Sequence, residues 1–243
     1  FMLDGLKPVR TESLKDVCVA RFEELILSGA IKVGERLPPE RDLAQQLKVS
    51  RPVVHDALVD IAAKGLISMI PRQGAKVNDY RREGSLALLN SLLNYNEGRL
   101  DPKLLEGLLN MRMLVETENA KLASKNRTEA HLEQLRELRK CEAEASASDV
   151  DELVALDFEF HLVLAIATDN QLYPLLLNSF KPIYTNLTRV FFRNPEVVAS
   201  VFEYHGQLVA AIEARDGKLA ETVMREMLAN GEDRLRQIIA KLP

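Results

Sequence analysis

The chain has 243 residues, of which 47% are hydrophobic and 28% are charged, and its formal net charge at pH 7 is −4. This is the composition of an ordinary globular protein, and the length allows two domains that each bury a core. Two distant cysteines, Cys18 and Cys141, lack CxxC spacing, which argues against a disulfide framework and a zinc knuckle. No apolar run approaches the length of about 20 residues that spans a bilayer, and no export signal is evident, so we expect a cytoplasmic protein without membrane contact.

Positive charge is concentrated near the start of the chain. Residues 7–77 hold 12 Lys and Arg against 9 Asp and Glu, so they carry a net +3 and the remainder carries −7. A local basic surface of this kind fits a nucleic-acid partner, whose binding depends on a few phosphate contacts and weakens steeply with salt.

Residues 37–65 predict a helix-turn-helix. Apolar residues recur at helical spacing on both sides of a short connection at residues 48–50, so two helices can pack across it. Ser50 stands where it would cap the second helix, and Pro52 falls in the first turn, where the missing N–H of proline costs little. Gly65 then closes the second helix.

After Gly65 the pattern becomes strand-like. Residues 66–70 and 75–77 are compatible with two antiparallel strands around turn residues 71–74, so the sequence predicts a winged helix. The start of a recognition helix meets base edges in the major groove, and wing cations meet phosphate or the minor groove. Solvated helix surfaces are the alternative explanation of these polar residues. The predicted DNA-binding residues are Arg41, Ser50, Arg51, His55, Arg72 and Lys76.

The stretch LPPERDLAQQLKVSRPVVHDAL, followed by KGLI and a glycine-containing wing, resembles the DNA-binding domain of the GntR family of bacterial transcriptional regulators. The resemblance covers about residues 10–78 and implies that Arg41, Arg51 and Gly74 lie at DNA. His55 stands where the family usually has Arg, and Asp56 where it has Glu, which implies an altered operator preference.

The remainder of the chain predicts helices. Residues 79–84 are polar and suit a linker, and Asp101 followed by Pro102 predicts a capped helix start. We therefore predict a mainly α chain with a winged helix-turn-helix domain at 10–78, a linker at 79–84 and an all-α antiparallel bundle at 85–240. The predicted helices of that bundle cover roughly 85–94, 102–125, 128–146, 150–168, 171–193, 195–215 and 217–240.

Three residues of the predicted bundle have the chemistry of metal ligands. Asp157 and His161 are four residues apart, which places them on one helix face, and His205 lies on a later helix that can oppose them. One carboxylate and two imidazoles suit a divalent transition metal. Hydrogen-bonded histidines inside a bundle are the alternative that spacing alone leaves open.

Three further stretches, NMRMLVETENAKLAS, ALDFEFHLVLAIATDNQLYPLL and EYHGQLVAAIEARDGKLAETVMREML, resemble the FCD effector domain of the FadR subfamily of GntR regulators. The resemblance implies that Asp157, His161 and His205 match three of the four metal ligands found in many members. Met227 occupies the fourth position, where a thioether is a soft, weak ligand. Zn²⁺ or Ni²⁺ beside a small organic acid is one expectation, and a metal-free site for a fatty acyl-CoA is the other.

Arg112 interrupts an apolar helix face, so its guanidinium needs an anionic partner. Glu116, one turn further on, is one such partner. The carboxylate of an effector is the other, because guanidinium binds carboxylate with two parallel hydrogen bonds. Tyr184 and Asn186 are predicted to line the same effector cavity.

Together these features predict a homodimeric repressor that binds palindromic operator DNA and responds to an effector by a shift between two arrangements. Two other classes stay open at this stage. A metal-dependent enzyme would use the Asp157, His161 and His205 set but leaves the winged helix unexplained. The other class is a helical interaction module that no longer binds DNA, and its only support is His55 in place of the usual Arg.

Overall fold

The computed structural model describes residues 13–94 and 102–239, which form eleven helices and one two-stranded sheet, so the predicted mainly α class is confirmed. These residues divide into two compact units, one on each side of the gap at residues 95–101. The first unit contains α1 (Leu14–Leu27), α2 (Glu40–Leu47), α3 (Arg51–Ala63), β1 (Ile67–Ile70), β2 (Gly74–Val77), α4 (Tyr80–Glu83) and α5 (Leu88–Asn94). The second contains α6 (Pro102–Asn126), α7 (Glu129–Glu144), α8 (Val150–Ala167), α9 (Leu172–Phe191), α10 (Pro195–Glu213) and α11 (Gly217–Ile239).

The predicted helix-turn-helix is formed by α2 and α3. Lys48 ends α2 in the left-handed conformation at φ 54°, and Ser50 precedes α3 in an extended conformation. Ser50 occupies the capping position, but within the described residues its side chain makes no capping hydrogen bond. Pro52 removes one of the two amides that a capping hydroxyl reaches, so only the Val53 amide remains for such a bond.

The wing follows as an antiparallel pair in which Ile67 faces Val77 and Ile70 faces Gly74. Apolar side chains on one side of this pair join the core of the first unit, where Val54 and Ile61 of α3 pack against Phe22 of α1. Burying these side chains contributes about 1.5–3 kcal/mol each, so the core holds the recognition helix and the wing in a defined relation.

The segment predicted as a linker is folded onto the first unit. Asp79 caps α4 by accepting from the Arg81 amide at 3.1 Å, and the carbonyl of Glu83 comes so close to Gly65 that a Cβ there would lie 1.9 Å from it. Gly65 also has φ 80°, which suits glycine. A side chain at position 65 would therefore push α4 away from the end of α3.

Helix α5 also packs on the first unit, so the division in the structure comes later than the predicted start of the helical domain at residue 85. Leu88 is 3% exposed within the first core, and the Ser91 hydroxyl donates to Glu23 of α1 at 2.7 Å. Lys64, at the end of α3, donates to the same Glu23 carboxylate at 2.5 Å. These contacts join residues distant in sequence, which is why periodicity did not reveal them.

The second unit packs its six helices around an apolar core that includes Leu132, Leu153, Phe160, Leu208 and Met224. The observed helices agree with the predicted segments to within a few residues. The proposed cap Asp101 and the predicted domain limits at residues 10 and 240 lie outside the described residues. Among the described helices, none is long and apolar enough to cross a membrane.

Replacing Gly65 by alanine tests the contact between α3 and α4. Gly65→Ala combines a positive φ with a backbone clash, so we expect it to lower the free energy of unfolding of the first unit by about 3 kcal/mol or more. Gly29→Ala is the matched control, because Gly29 also has a positive φ, at 76°, but a Cβ there would meet no described atom within 4 Å. It should cost only about 1–2 kcal/mol. Hydrogen exchange of the α3 amides measures the free energy of unfolding of both variants. Equal losses of stability in Gly65→Ala and Gly29→Ala would contradict the proposed clash.

Candidate functional site

The first candidate site is the surface formed by α2, α3 and the wing. The side chains of Arg41, Arg51 and His55 are 80%, 72% and 51% exposed. A groove of about 580 Å³ lies between the helices and the wing, and its lining includes Arg41, Arg51, Arg72 and Gly74. The structure therefore brings several of the predicted cations to one concave surface. Every predicted DNA-binding residue is exposed: Arg41, Ser50, Arg51, His55, Arg72, Gly74 and Lys76.

The wing turn depends on two left-handed residues. Arg72 has φ 61° and Gly74 has φ 82°, and the Gln73 amide donates to the Ile70 carbonyl at 3.0 Å. A Cβ at Gly74 would meet no described atom within 4 Å, so glycine is needed there for its conformation rather than for space. Lys76 lies on β2, where its backbone pairs with Ser68 of β1 on one side and forms an isolated antiparallel bridge with Arg36 on the other.

Glu40 is a residue of this surface that sequence reasoning missed. Its carboxylate accepts from Nε of Arg51 at 3.1 Å and contacts Nδ1 of His55 at 2.9 Å. The His55 hydrogen bond, followed by that of Arg51, lowers the pKa of Glu40. Because the contact joins α2 to α3, helical spacing carries no signal of it. Glu40 thus orients the two side chains that begin the exposed face of α3.

The second candidate site is a cavity of about 60 Å³ inside the second unit. Helices α6, α8, α9, α10 and α11 all contribute to its wall. The lining residues are Leu109, Arg112, Met113, Asp157, His161, Tyr184, Leu187, Thr188, Phe191, Phe192, Val201, Met227, Leu228, Gly231, Glu232 and Leu235.

Asp157, His161 and His205 lie together in the second unit, and the first two of them line this cavity. Each offers a ligand atom, and these atoms all lie within 4.8 Å of one another. All three side chains are buried, and His205 is 0% exposed. Phe160 stacks on the His205 ring with 3.8 Å between centroids, which fixes the plane of that imidazole.

Both imidazoles are oriented by a second carboxylate. Nδ1 of His161 contacts Glu116, and Nδ1 of His205 lies 2.6 Å from Glu142, whose other oxygen pairs with Arg139. Metal-bound histidines commonly use one ring nitrogen for a carboxylate and the other for the metal. Glu142 was missed from the sequence because it lies on α7, far along the chain from His205.

The remaining nitrogen of His205 supplies the test of whether these residues fit a metal. Among the described residues, Nε2 of His205 has no hydrogen-bond partner, and its nearest anionic atom is Oδ1 of Asp157 at 3.6 Å. A buried polar atom without a partner costs free energy, so such atoms are rare unless a ligand satisfies them. The donor set of one carboxylate and two imidazoles therefore fits a divalent transition metal.

Arg112 pairs with Glu116, one of the two partners that the sequence suggested, and it also reaches the cavity. Its Nε donates to Glu116 at 2.6 Å, and its guanidinium lines the cavity 4.5 Å from the ring centre of Tyr184. Burial opposes ionisation of Glu116, but the Arg112 charge, followed by that of His161, lowers the pKa of Glu116 to about 2. For His161, burial lowers the pKa, but the nearby Glu116 charge outweighs burial and the pKa is raised overall.

Tyr184 lines the cavity as predicted, whereas Asn186 does not. The Tyr184 hydroxyl donates to Oδ2 of Asp157 at 2.6 Å, and burial, together with the Asp157 charge, raises the pKa of Tyr184 well above its ordinary value. Asn186 lies two residues further along α9, so it points to the exposed side and accepts from Arg189 at 3.3 Å. The prediction of Asn186 as a cavity residue is wrong because two residues rotate a helix by more than half a turn.

Comparison with known proteins bears on both sites. The model of the gntR family of bacterial regulatory proteins matches residues 14–77, and the model of the FCD domain matches residues 107–230. The chain is 31% identical over 219 residues to the HTH-type transcriptional regulator LutR of Bacillus subtilis strain 168, covering 86% of this chain and 95% of LutR. The chain belongs to the GntR family.

The chain is also similar to other proteins in sequence or in fold. A fatty acid metabolism regulator protein of Proteus mirabilis is 28% identical over 193 residues, covering 79% of this chain and 78% of that protein. The solved structure of Lar, which controls the agr system of Listeria monocytogenes, has a TM-score of 0.63 at 18% identity and covers 94% of this chain and 99% of its own. That of E. coli McbR/YncC has a TM-score of 0.51 at 20% identity, covering 93% and 99%. This GntR chain is a DNA-binding transcriptional regulator with an FCD domain, and the enzyme alternative is wrong.

Removing Glu116 tests the pairing of buried charges. Glu116→Leu leaves Arg112 and His161 without their carboxylate, and breaking a buried ion pair from one side costs about 3–5 kcal/mol. We expect a loss of that size in the free energy of unfolding of the second unit. Glu118→Leu, on the same helix and paired with exposed Lys121, should change it by no more than about 0.5 kcal/mol. Differential scanning calorimetry of the full chain compares the two variants. Similar unfolding curves for Glu116→Leu and Glu118→Leu would show that Glu116 does not stabilise the buried charges.

Proposed function

We propose that this regulator binds an operator as a homodimer and that a small carboxylate in the cavity of the second unit, beside a divalent metal, alters its affinity for DNA. The observation that carries the proposal is the meeting of Arg112 with Asp157, His161 and Tyr184 at one buried cavity. Buried, charged and convergent groups of this kind characterise binding sites.

The DNA-binding role is assigned to the exposed surface of the first unit. Arg51, held by Glu40, lies in the first turn of α3, where guanidinium can bond guanine bidentately. Arg41 joins it at the groove, and Arg72 and Lys76 at the wing suit phosphate or the minor groove. Ser50, His55 and Gly74 complete the proposed contact set. The protein would act in the cytoplasm, where operator DNA is found.

The metal-binding role is assigned to Asp157, His161 and His205. These residues would hold Zn²⁺ or Ni²⁺ through one carboxylate oxygen and two imidazole nitrogens, which leaves a position for water or an effector oxygen. When bound, the ion would act as a Lewis acid toward an effector carboxylate. Glu116 and Glu142 orient the two imidazoles, and Tyr184 orients Asp157.

The effector role is assigned to Arg112 and Tyr184. Nε of Arg112 stays on Glu116, and a carboxylate would pair with the terminal nitrogens of the guanidinium. A fatty acyl-CoA effector without metal is the second candidate, and it is favoured by the similarity to fatty acid metabolism regulator proteins.

Regulation would follow from a shift in population. Effector binding favours an arrangement of the homodimer in which the two recognition helices no longer meet both half-sites of a palindrome, so the regulator acts as a repressor that the effector releases. Such coupling is reciprocal, so operator DNA should weaken effector binding by the same factor.

Arg51→Ala tests the DNA contact. It should weaken operator binding by about 1–3 kcal/mol per half-site if Arg51 reads a base, and relax discrimination at one position. Arg21→Ala is the control, because Arg21 is an exposed arginine of the same unit that pairs with Glu24 on α1. Gel shifts across a salt series provide the measurement. Operator affinity that is equal in the two variants would exclude Arg51 from the interface.

His205→Ala tests the metal. Loss of an outer-shell partner typically costs about 10–100-fold in metal affinity, so loss of a ligand should cost at least as much. Isothermal titration with Zn²⁺ measures the affinity, and elemental analysis of the purified protein measures occupancy. Glu142→Gln keeps all three ligands and should give an intermediate loss.

The control for this series is His131→Gln. His131 lies at the start of α7, where it completes a capping box with Thr128, and glutamine preserves that cap. Zinc affinity should be unchanged in this variant. If wild type and His205→Ala bind zinc equally, the three residues are a structural cluster and the metal proposal fails.

A further inference from the structure

His55 lies one turn beyond Arg51 on the exposed face of α3. Four residues of an α-helix advance about 6 Å along its axis and turn about 40° beyond one full rotation, so the two side chains share that face. Base pairs of a duplex rise about 3.4 Å each. When α3 is seated in the major groove, His55 therefore reaches a base about two base pairs from the one that Arg51 reads.

The contact with Glu40 decides which ring nitrogen of His55 carries the hydrogen. Nδ1 of His55 lies 2.9 Å from one oxygen of Glu40, and the other oxygen accepts from Nε of Arg51 at 3.1 Å. The hydrogen bond of His55, followed by that of Arg51, lowers the pKa of Glu40, so this carboxylate is ionised at neutral pH and can only accept. The hydrogen therefore lies on Nδ1, and a neutral imidazole keeps its lone pair on Nε2.

Nε2 of His55 is available to a group from outside the chain. The side chain is 51% exposed, and its described hydrogen bond is the one that Nδ1 makes with Glu40. The two nitrogens lie on different edges of the ring, so holding Nδ1 against α2 leaves the edge with Nε2 uncovered by that contact. The exposed face of α3 thus presents a hydrogen-bond acceptor at His55 beside the donors of Arg51.

An acceptor and a donor select different bases in the major groove. Cytosine and adenine present amino groups there, whereas the corresponding atoms of guanine and thymine are carbonyl oxygens. The lone pair on Nε2 can accept from an amino group. Opposite a carbonyl oxygen it would leave two acceptors facing each other without a hydrogen, which costs free energy. Arginine has donors alone, so it makes the opposite selection.

We infer that His55 reads cytosine or adenine in each operator half-site through Nε2, and that Glu40 sets this preference by holding the imidazole in one tautomer. His55 is thus a specificity-determining residue of the DNA surface, and Glu40 is a positioning residue that acts through it. This inference rests on the proposed seating of α3 in the major groove.

The test selects binding sites for the full chain from a library of random duplex DNA. It is performed at about pH 8.5, because imidazole is neutral well above its ordinary pKa of about 6.5. Arg51→Ala should make one position of the selected half-site indifferent to sequence. About two base pairs away, wild type should favour cytosine or adenine by about fivefold or more, and His55→Ala should lose that preference.

Removing a single amino group from the DNA tests the same contact from the other side. In a synthetic duplex of the selected sequence, the preferred cytosine is replaced by pyrimidin-2-one, or the preferred adenine by purine, which lack the amino group. Wild type should bind this duplex about fivefold more weakly than the parent duplex. His55→Ala should bind the two duplexes equally.

Two substitutions should invert the preference at the His55 position. His55→Arg supplies donors alone, so guanine should become the favoured base. In Glu40→Gln the side-chain oxygen has to accept from Arg51, which leaves the amide nitrogen to donate to Nδ1 of His55. The imidazole hydrogen then moves to Nε2, so guanine or thymine should be favoured while the Arg51 position is unchanged.

Asp60→Asn is the matched control. Asp60 lies on the same helix, five residues beyond His55 and so about 140° around the axis, where it pairs with Lys15 of α1 at 2.8 Å. The substitution removes an α3 carboxylate and a contact with α1 but leaves Glu40 and His55 in place. Both selected positions should therefore stay as in wild type.

Each outcome discriminates. The inference is overturned if wild type favours guanine or thymine at the His55 position or has no preference there, if His55→Arg or Glu40→Gln leaves the preference unchanged, or if Asp60→Asn removes it. In those cases a position lost in Arg51→Ala still supports the proposed DNA surface. If wild type enriches no sequence, the proposed function of this surface fails and the inference fails with it.

Discussion

The second unit depends on the neutralisation of buried charge. Glu116 accepts from Arg112 with one oxygen and contacts His161 with the other, so a single carboxylate compensates two groups that would otherwise be costly to bury. Glu142 does the same for His205 and Arg139 on the opposite side. Because these contacts use Nδ1 of both imidazoles, Nε2 of each ring stays available, and that of His205 lies 3.6 Å from Oδ1 of Asp157. The geometry of the candidate metal centre is thus a consequence of the charge pairing around it.

Charge is used differently in the two units. In the first unit the arginines of the candidate DNA surface are exposed, and Glu40 holds Arg51 and His55 through contacts that solvent screens. Their other nitrogens can still bond phosphate or a base edge. Around the cavity of the second unit the pairs of Glu116 and Glu142 are buried, so each of these charges has a defined partner. Exposure suits a surface that must release DNA, and burial suits one that must recognise a small ligand.

Met227 connects the metal and the effector hypotheses. A histidine at this position would add a fourth ligand and a polar wall, whereas the thioether leaves three ligands and extends the apolar lining formed by Leu109, Leu235 and Phe191. In the metal hypothesis, this departure from the family pattern leaves one coordination position open.

The sequence by itself determined the elements with local or periodic signals. The helix-turn-helix, the wing, the six helices of the second unit and the pairing of Asp157 with His161 on one face follow from spacing, turn residues and family motifs. Tertiary structure alone decided the contacts of Glu40 with Arg51 and of Glu142 with His205, the packing of Leu88 and Ser91 on the first unit, and the exclusion of Asn186 from the cavity. Those features join side chains from different helices, and a one-dimensional pattern says which face of a helix is buried but not which partner it meets.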